Sequence, residues 1–402
     1  MSGIVVIGAG QAGASLVAKL RTLGHDGSIT LIGDEPVPPY QRPPLSKKYL
    51  LGEMELERLY LRPASYYAEN DITLRTGLTV SGIDRVEKCV IAGDERIAYD
   101  QLALTTGSTP RHLPDAIGGN LDAVHVVRTL ADVDAMAPGF QQGARVLIVG
   151  GGYIGLEAAA VAAARGMRVT LIEMAERILQ RVAAPETSNY FRALHRAHGV
   201  DIREGTGLTR LTGEGGVSAA LLSDGTELPV DMVITGIGIA PATALAEAAG
   251  LDIDNGIRTD AHGRTSDPSI WSAGDCASLP YRGGRIRLES VQNAIDQAEC
   301  VAENMLGAGK DYVPMPWFWS DQYDVKLQIA GLNAGYDRIV ARPGDGKAVS
   351  FWYYAGNQLL AVDAMNDARA YMVGKRLIEM GKTADAAVVA DPDADLKPLL
   401  RG

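Results

Sequence analysis

The chain has 402 residues, 47% of them hydrophobic and 22% charged, with a formal net charge of −11. That length suits two or three domains with sizeable cores, and the acid excess argues against non-specific binding to nucleic acid or to an anionic membrane, which both need basic surface. Cys89, Cys276 and Cys300 form no C-x-x-C pair, Met1-Ser2-Gly3 runs directly into the first predicted strand, and Glu157 and Arg165 break the most apolar helix; the expectation is a cytoplasmic protein with no disulfide framework, signal peptide or membrane span.

In chain order, residues 3–35, GIVVIGAGQAGASLVAKLRTLGHDGSITLIGDE, predict a strand, a glycine turn with Gly8, Gly10 and Gly13, a helix, and a strand over 29–32 followed by Asp34 and Glu35. That is a βαβ unit with G-x-G-x-x-G at its first turn. Residues 36–51, PVPPYQRPPLSKKYLL, follow. Their prolines enforce an extended backbone before Ser46, which could cap a short helix. Arg42, Pro43 and Lys47 put positive charge on a rigid stretch, suited to an anionic cofactor. Residues 72–106 alternate as short strands, and the apolar run 102–104 leads into Thr105, Thr106 and Gly107 at a predicted domain crossing. Arg128 precedes a helix containing Asp132.

The design of the first unit then recurs at 145–173, ARVLIVGGGYIGLEAAAVAAARGMRVTLIE, read from Ala144. A strand over 146–149 closes on Gly150, Gly151, Gly152, Tyr153, Ile154 and Gly155; a helix runs through 164, and a strand over 169–172 ends on Glu173. The first glycine allows a tight turn, the second lets backbone approach a pyrophosphate, and the third lets helix lie close on strand. The helix N-terminus offers free N–H groups to phosphates, and Glu173 can accept from an adenosine ribose 2′-OH. Two such units predict two dinucleotides, FAD in the first and NAD(P) in the inner one.

Short strands with glycine turns fill 201–240 and end in GIGIAP, where Gly238 permits close backbone approach to a ligand. A strand reaches Gly274-Asp275, and Ser290 is placed to cap the next helix, which begins near Val291. Beyond Pro314 and Pro316, residues 325–364 read as three strands before a helix over 367–380, and the acidic end DPDADLKPLL reads as frayed. No metal site is expected: His195 and His198 lie three apart without further ligands, and the acidic tail lacks the glycine and distal glutamate of a calcium loop.

These motifs together resemble the FAD-dependent, NADH-linked ferredoxin reductases that serve bacterial P450s and aromatic-ring dioxygenases. The likeness is carried by GAGQAG at 8–13, RPPLSK at 42–47, RTLAD at 128–132, VGGGYIGLE at 149–157, GIGIAP at 236–241, GDC at 274–276, ESVQNA at 289–294 and PWFWSDQY at 316–323. Disulfide reductases share the scaffold but carry a redox cysteine pair where this chain has RPPLSKKYL, so dithiol chemistry is excluded.

The resemblance implies an α/β fold of glutathione-reductase type, with two Rossmann-like dinucleotide domains and an α+β C-terminal domain. An FAD domain would comprise 1–111 and 242–315, an NAD domain 112–241, and the C-terminal domain 316–402. FAD contacts would fall on Gly8, Gly10, Ala12, Gly13, Asp34, Lys47, Val80, Arg128, Asp275 and Val291. Asp275 would hold the ribityl chain, Val291 would open a helix whose positive end faces the flavin N1–C2 carbonyl region, and Trp319 would lie near the isoalloxazine. Tyr153 would screen the flavin until nicotinamide displaces it, and Lys47 with Glu157 would form a pair near it. The implied reaction takes a hydride from NADH to FAD and passes electrons singly to a [2Fe-2S] ferredoxin. Rubredoxin, monodehydroascorbate or a quinone are the alternative acceptors. A non-catalytic flavoprotein of the apoptosis-inducing-factor type would call for a targeting segment and a basic surface.

Overall fold

The computed structural model describes residues 3–401. Residues group into two compact units, one made of 1–41, 55–109 and 239–316 and the other of 42–54, 110–238 and 317–402.

The first unit is built on a five-stranded parallel sheet, in spatial order Ile270–Ser272, Gln101–Leu104, Ile4–Ile7, Ile29–Ile32 and Ile72–Arg75. Its strands are apolar runs because both faces of the sheet are covered. Ile4 and Val6 pack under helix Gln11–Thr22 with Leu16, Val17 and Leu20, all essentially sealed from solvent. Val5, Ile7, Leu102 and Leu104 point the other way, into a cluster with Val90, Leu251 and Ile257. The central strand Ile4–Ile7 lies where the chain reverses its direction of sheet growth, so its carboxyl end opens at a topological switch point, where ligands of such sheets bind.

The second unit repeats the plan. Its parallel sheet runs Asp201–Glu204, Arg168–Glu173, Arg145–Val149, Met232–Thr235 and Val124–Val126. Helix Tyr153–Ala164 crosses this sheet, and its run from Leu156 to Val161 is buried throughout, which is why it is apolar all round rather than on one stripe. The same unit contains an antiparallel five-stranded sheet in the order Trp317–Gln322, Val325–Gly331, Gln358–Met365, Val349–Ala355 and Arg338–Pro343. Helix Ala368–Glu379 lies on it, with Trp352, Val362, Tyr371 and Leu377 in the shared core. The α/β class with an α+β end is therefore as expected.

Three local expectations are corrected. The stretch 325–364 holds four strands rather than three, because the run around 349–365 folds back at the Gly356-Asn357 turn, and residues 317–322, outside that stretch, form a fifth that pairs along its whole length. Two strands joined by a two-residue glycine turn read as one apolar run when the turn residues are overlooked. The acidic end is not frayed: the Arg342 guanidinium donates to the carbonyls of Val389, Asp391, Pro392 and Ala394, and Leu396 is buried. Ser46 does not cap a helix; it ends the 3-10 turn Pro43–Ser46 and its hydroxyl is used elsewhere. Among the described residues no helix is long and apolar enough to cross a membrane.

Candidate functional site

Both glycine turns show the same division of labour. In the first unit Gly8 has φ +108°, and a Cβ there would lie 2.2 Å from the Thr105 carbonyl oxygen. A Cβ on Gly13 would lie 2.1 Å from the Gly8 oxygen. In the second unit Gly150 repeats the φ of +108°, and a Cβ on Gly155 would lie 2.1 Å from the Gly150 oxygen. These glycines are fixed by the protein's own backbone. Gly10 and Gly152 differ, since a Cβ on either would meet no protein atom within 4 Å. Both have ordinary extended dihedrals and stand at the N-cap of their helix with no side chain bonded there. Nothing in the fold requires glycine at these two places; a phosphate approaching the helix N-terminus does.

Around the first turn, the ends of the parallel strands and their connections carry several further predicted residues of that unit. Gly274, with φ +84°, brings its backbone so near the first helix that a Cβ would lie 3.0 Å from Cβ of the buried Ala12. Its N–H donates to the buried Gln297 Oε1 at 2.9 Å. Asp275 accepts from the Ser108 hydroxyl at 2.8 Å, and Gly107 accepts from the Ala242 amide at 2.9 Å. Val291 opens helix Val291–Met305, which Ser290 caps through the Asn293 amide as expected. Asp34 takes the Glu35 amide, and Glu35 takes the Tyr40 hydroxyl at 2.6 Å. Val80 packs on the cluster behind the sheet, away from the glycine turn in sequence but within the same unit. Cys276 is fully buried with its thiol on the Leu104 carbonyl.

In the second unit, Glu173 ends its strand with both carboxylate oxygens engaged, Oε2 by the Gly151 amide at 2.7 Å and Oε1 by the Ala175 amide at 2.8 Å. Each oxygen keeps capacity for another donor. Arg177, the first cation after it, is tied to Ser188 Oγ at 2.6 Å. Gly238, with φ +103°, accepts from the Arg111 amide at 2.9 Å. Ile154 is 44% exposed on the helix's first turn. Arg42 donates to the Arg128 carbonyl at 2.6 Å, and the Thr129–Asp132 capping box holds the turn after it. The proline-rich stretch and the helix start are thereby brought together.

Lys47 and Glu157, 110 positions apart, form an ion pair at 2.8 Å with the glutamate only 3% exposed. The Ser46 hydroxyl donates to the same Oε2 at 2.7 Å, and the Ser320 hydroxyl to Oε1 at 2.7 Å. Three donors of two kinds therefore fix one carboxylate. Strand Trp317–Gln322 explains how: successive residues on one of its faces, Phe318, Ser320 and Gln322, reach Tyr153, Glu157 and His195. Side chains two apart on a strand advance about as far as residues four apart on a helix, so the step from Phe318 to Ser320 matches that from Tyr153 to Glu157, and Gln322 continues to His195 on helix Pro185–Ala197. The Phe318 ring lies 4.9 Å from that of Tyr153. The Tyr153 ring is half-buried, whereas its hydroxyl is enclosed and has no hydrogen-bond partner among the described residues; burial holds it well above the ordinary phenol range. Trp319 sits on the opposite face of the strand, its ring 5.6 Å from that of Trp317.

Sequence reading missed Ser46, Ser320 and Gln322. The available signal was the alternation inside PWFWSDQY, where polar residues share the Phe318 register. His195 is wholly buried, its ring nitrogens facing Gln322 Oε1 and the Tyr323 hydroxyl. Among the described residues no group of histidine, cysteine or carboxylate side chains could hold a metal.

Comparison with known proteins agrees with this geometry. The profile described as pyridine nucleotide-disulphide oxidoreductase matches residues 2–298, and that described as reductase C-terminal matches 317–400. The chain is 44% identical to a ferredoxin–NAD(P)+ reductase from Sphingomonas, covering 98% of this chain and 96% of that one. It is 41% identical to putidaredoxin reductase from Pseudomonas putida, over 99% and 96% of the two chains. Among solved structures, the covalent putidaredoxin reductase–putidaredoxin complex matches with TM-score 0.95 and 40% identity over 100% of this chain and 98% of that one.

Proposed function

The chain belongs to the pyridine nucleotide-disulphide oxidoreductase family, and on that premise we propose that it is an FAD-dependent reductase passing electrons from NADH to a [2Fe-2S] ferredoxin. The observation that carries the reading is the pair of glycine turns whose second glycine faces open space, each at the carboxyl end of a parallel sheet of the same order. Cys89, Cys276 and Cys300 are buried and unpaired, so the dithiol chemistry in the family's name has no residues here. Acceptor reduction follows instead, the chemistry named for the ferredoxin and putidaredoxin reductases above.

FAD would be held by Gly8, Gly10, Ala12, Gly13, Asp34, Glu35, Val80, Gly107, Gly274, Asp275 and Val291, together with Arg42, Pro43, Lys47, Arg128 and Trp319. NADH would be held by Gly150, Gly152, Tyr153, Ile154, Gly155, Glu173 and Gly238. We keep the three-domain division at 111, 241 and 315 as part of this proposal, and place the protein in the cytoplasm, where its unpaired thiols would persist. When bound, the flavin supplies the exchange between one hydride and two single-electron transfers. Tyr153 can yield its place to an incoming nicotinamide without its hydroxyl breaking a hydrogen bond to any of the described residues. Lys47, aligned by Glu157, supplies a fixed positive charge as electron density shifts. No side chain has to exchange a proton with the nucleotide.

The test is anaerobic. Purified protein should release FAD on denaturation, bleach with NADH in a single turnover, and be reoxidised by a [2Fe-2S] ferredoxin in two one-electron steps. FMN in place of FAD, or no bleaching, would refute the reading. Bleaching followed by reoxidation with rubredoxin, monodehydroascorbate or a quinone, but with no ferredoxin, would keep the reductase and replace its acceptor.

A further inference from the structure

We propose that Tyr323, His195, Gln322 and Ser320 form a chain of donors running one way, which positions the Glu157 carboxylate and locks His195 as the neutral Nε2–H tautomer. This rests on the reading of Lys47 and Glu157 as the working pair. The direction follows from a single charge. A carboxylate only accepts, so the Ser320 hydroxyl spends its one proton on Glu157 Oε1, at 2.7 Å. Ser320 Oγ must then accept at its other contact, from Gln322 Nε2 at 3.1 Å. With its amide nitrogen committed, Gln322 presents Oε1 to His195 Nε2 at 2.8 Å, and that nitrogen has to carry the proton. His195 Nδ1 is left to accept from the Tyr323 hydroxyl at 3.2 Å. Among the described residues no carboxylate is bonded to either ring nitrogen, so accepting the Tyr323 proton at Nδ1 keeps the ring neutral, which a site closed to solvent favours.

The surroundings fit this assignment. Ser320, Gln322 and His195 are each 0% exposed, so no solvent competes for these atoms. Burial lowers the His195 pKa to about 4, aided by the neighbouring His198. Burial also pushes the Tyr323 hydroxyl up, leaving it a donor. Its ring stacks on His198 at 3.6 Å, which sets the hydroxyl toward His195. The amide of Gln322 interrupts any proton relay, because passing a proton through it would demand the imidic acid form. The chain thus transmits orientation rather than protons. His195 is a positioning residue, acting on Glu157 through Gln322 and Ser320, and through Glu157 on Lys47.

The experiment has two arms on FAD-loaded protein. Long-range proton–nitrogen correlation with 15N-histidine at neutral pH should show one ring with pyrrole-type Nε2 and pyridine-type Nδ1, missing from His195→Gln. Gln322→Leu, which removes the acceptor facing Nε2, should mix that ring's tautomers, whereas Tyr323→Phe, which leaves that acceptor in place, should not. An Nδ1–H or imidazolium signal for His195, or no change in Gln322→Leu, overturns the proposal. In single turnovers, His195→Leu should slow flavin reduction by NADH about tenfold with NADH affinity held within about twofold, whereas His195→Gln, which keeps an N–H at the same reach, should restore the rate. Equal losses in both variants, or none in His195→Leu, also overturn it. Absence of NADH bleaching in the unsubstituted protein would instead defeat the functional reading and leave the tautomer result standing.

Discussion

Replacing Glu173 with alanine removes a carboxylate whose two oxygens are held by the Gly151 and Ala175 amides at 2.7 and 2.8 Å. In the proposed pose this group lies where the adenosine ribose 2′-position falls. NADH presents a hydroxyl there, which donates to a free lone pair. NADPH presents a phosphate. At an effective dielectric near 20 and a separation of roughly 5 Å, two unit charges repel by about 3 kcal/mol. Each 1.4 kcal/mol is about tenfold, so NADH should be preferred by about a hundredfold or more in kcat/KM. Arg177 could offset that only by leaving Ser188, which it reaches at 2.6 Å, and Ser188 is itself buried with its hydroxyl on the Ile178 carbonyl. Glu173→Ala acts twice, since it deletes the anion and frees two amide donors for a phosphate. It should raise KM for NADH, lower it for NADPH, and bring the two within about tenfold of each other. Adding Ser188→Ala should release Arg177 and favour NADPH further. Steady-state rates with both nucleotides at matched ionic strength decide this. Comparable kcat/KM values in the unsubstituted protein would refute the role of Glu173.

Lys47→Ala should slow single-turnover flavin reduction by an amount corresponding to about 1–3 kcal/mol while leaving NADH affinity near its original value; an unchanged rate would remove Lys47 from the chemistry. Gly152→Ala should fold with its melting temperature nearly unchanged, because a Cβ there meets no protein atom within 4 Å, yet raise KM for NADH at least about tenfold. Gly155→Ala, whose Cβ would lie 2.1 Å from the Gly150 oxygen, should lower the melting temperature outright. The His195 pKa, lowered by burial to about 4 from an ordinary 6.5, means the unfolded chain binds the extra proton first, so stability falls as pH drops from 6.5 toward 4, by about 3 kcal/mol in full. Asp363, pushed up to about 6 by burial, acts in the opposite sense as pH rises from 3.8. The difference between denaturation curves of the unsubstituted protein and His195→Gln isolates the histidine; a difference that does not change between pH 7 and 4 would contradict the shift.

Local sequence determined the parts that depend on chain neighbours alone. The strand–glycine–helix–strand order appears at Ile4–Ile7, Gln11–Thr22 and Ile29–Ile32, and again at Arg145–Val149, Tyr153–Ala164 and Arg168–Glu173. Burial on both faces makes such strands continuous apolar runs, and backbone geometry at each turn requires glycine at Gly8 and Gly13 and again at Gly150 and Gly155. The Ser290 cap was legible for the same reason. Tertiary structure decided whatever depends on a partner far along the chain. Ser46 reads locally as a helix cap, but it donates to Glu157, 111 positions away. The acidic end reads as unanchored because its anchor, Arg342, lies about fifty positions earlier on a strand. Ser320 and Gln322 carry no local sign of a role until strand Trp317–Gln322 is set against helix Tyr153–Ala164 and His195. A carboxylate's donors are selected by distance and burial in three dimensions, and no periodicity along the chain records which of its polar residues will meet.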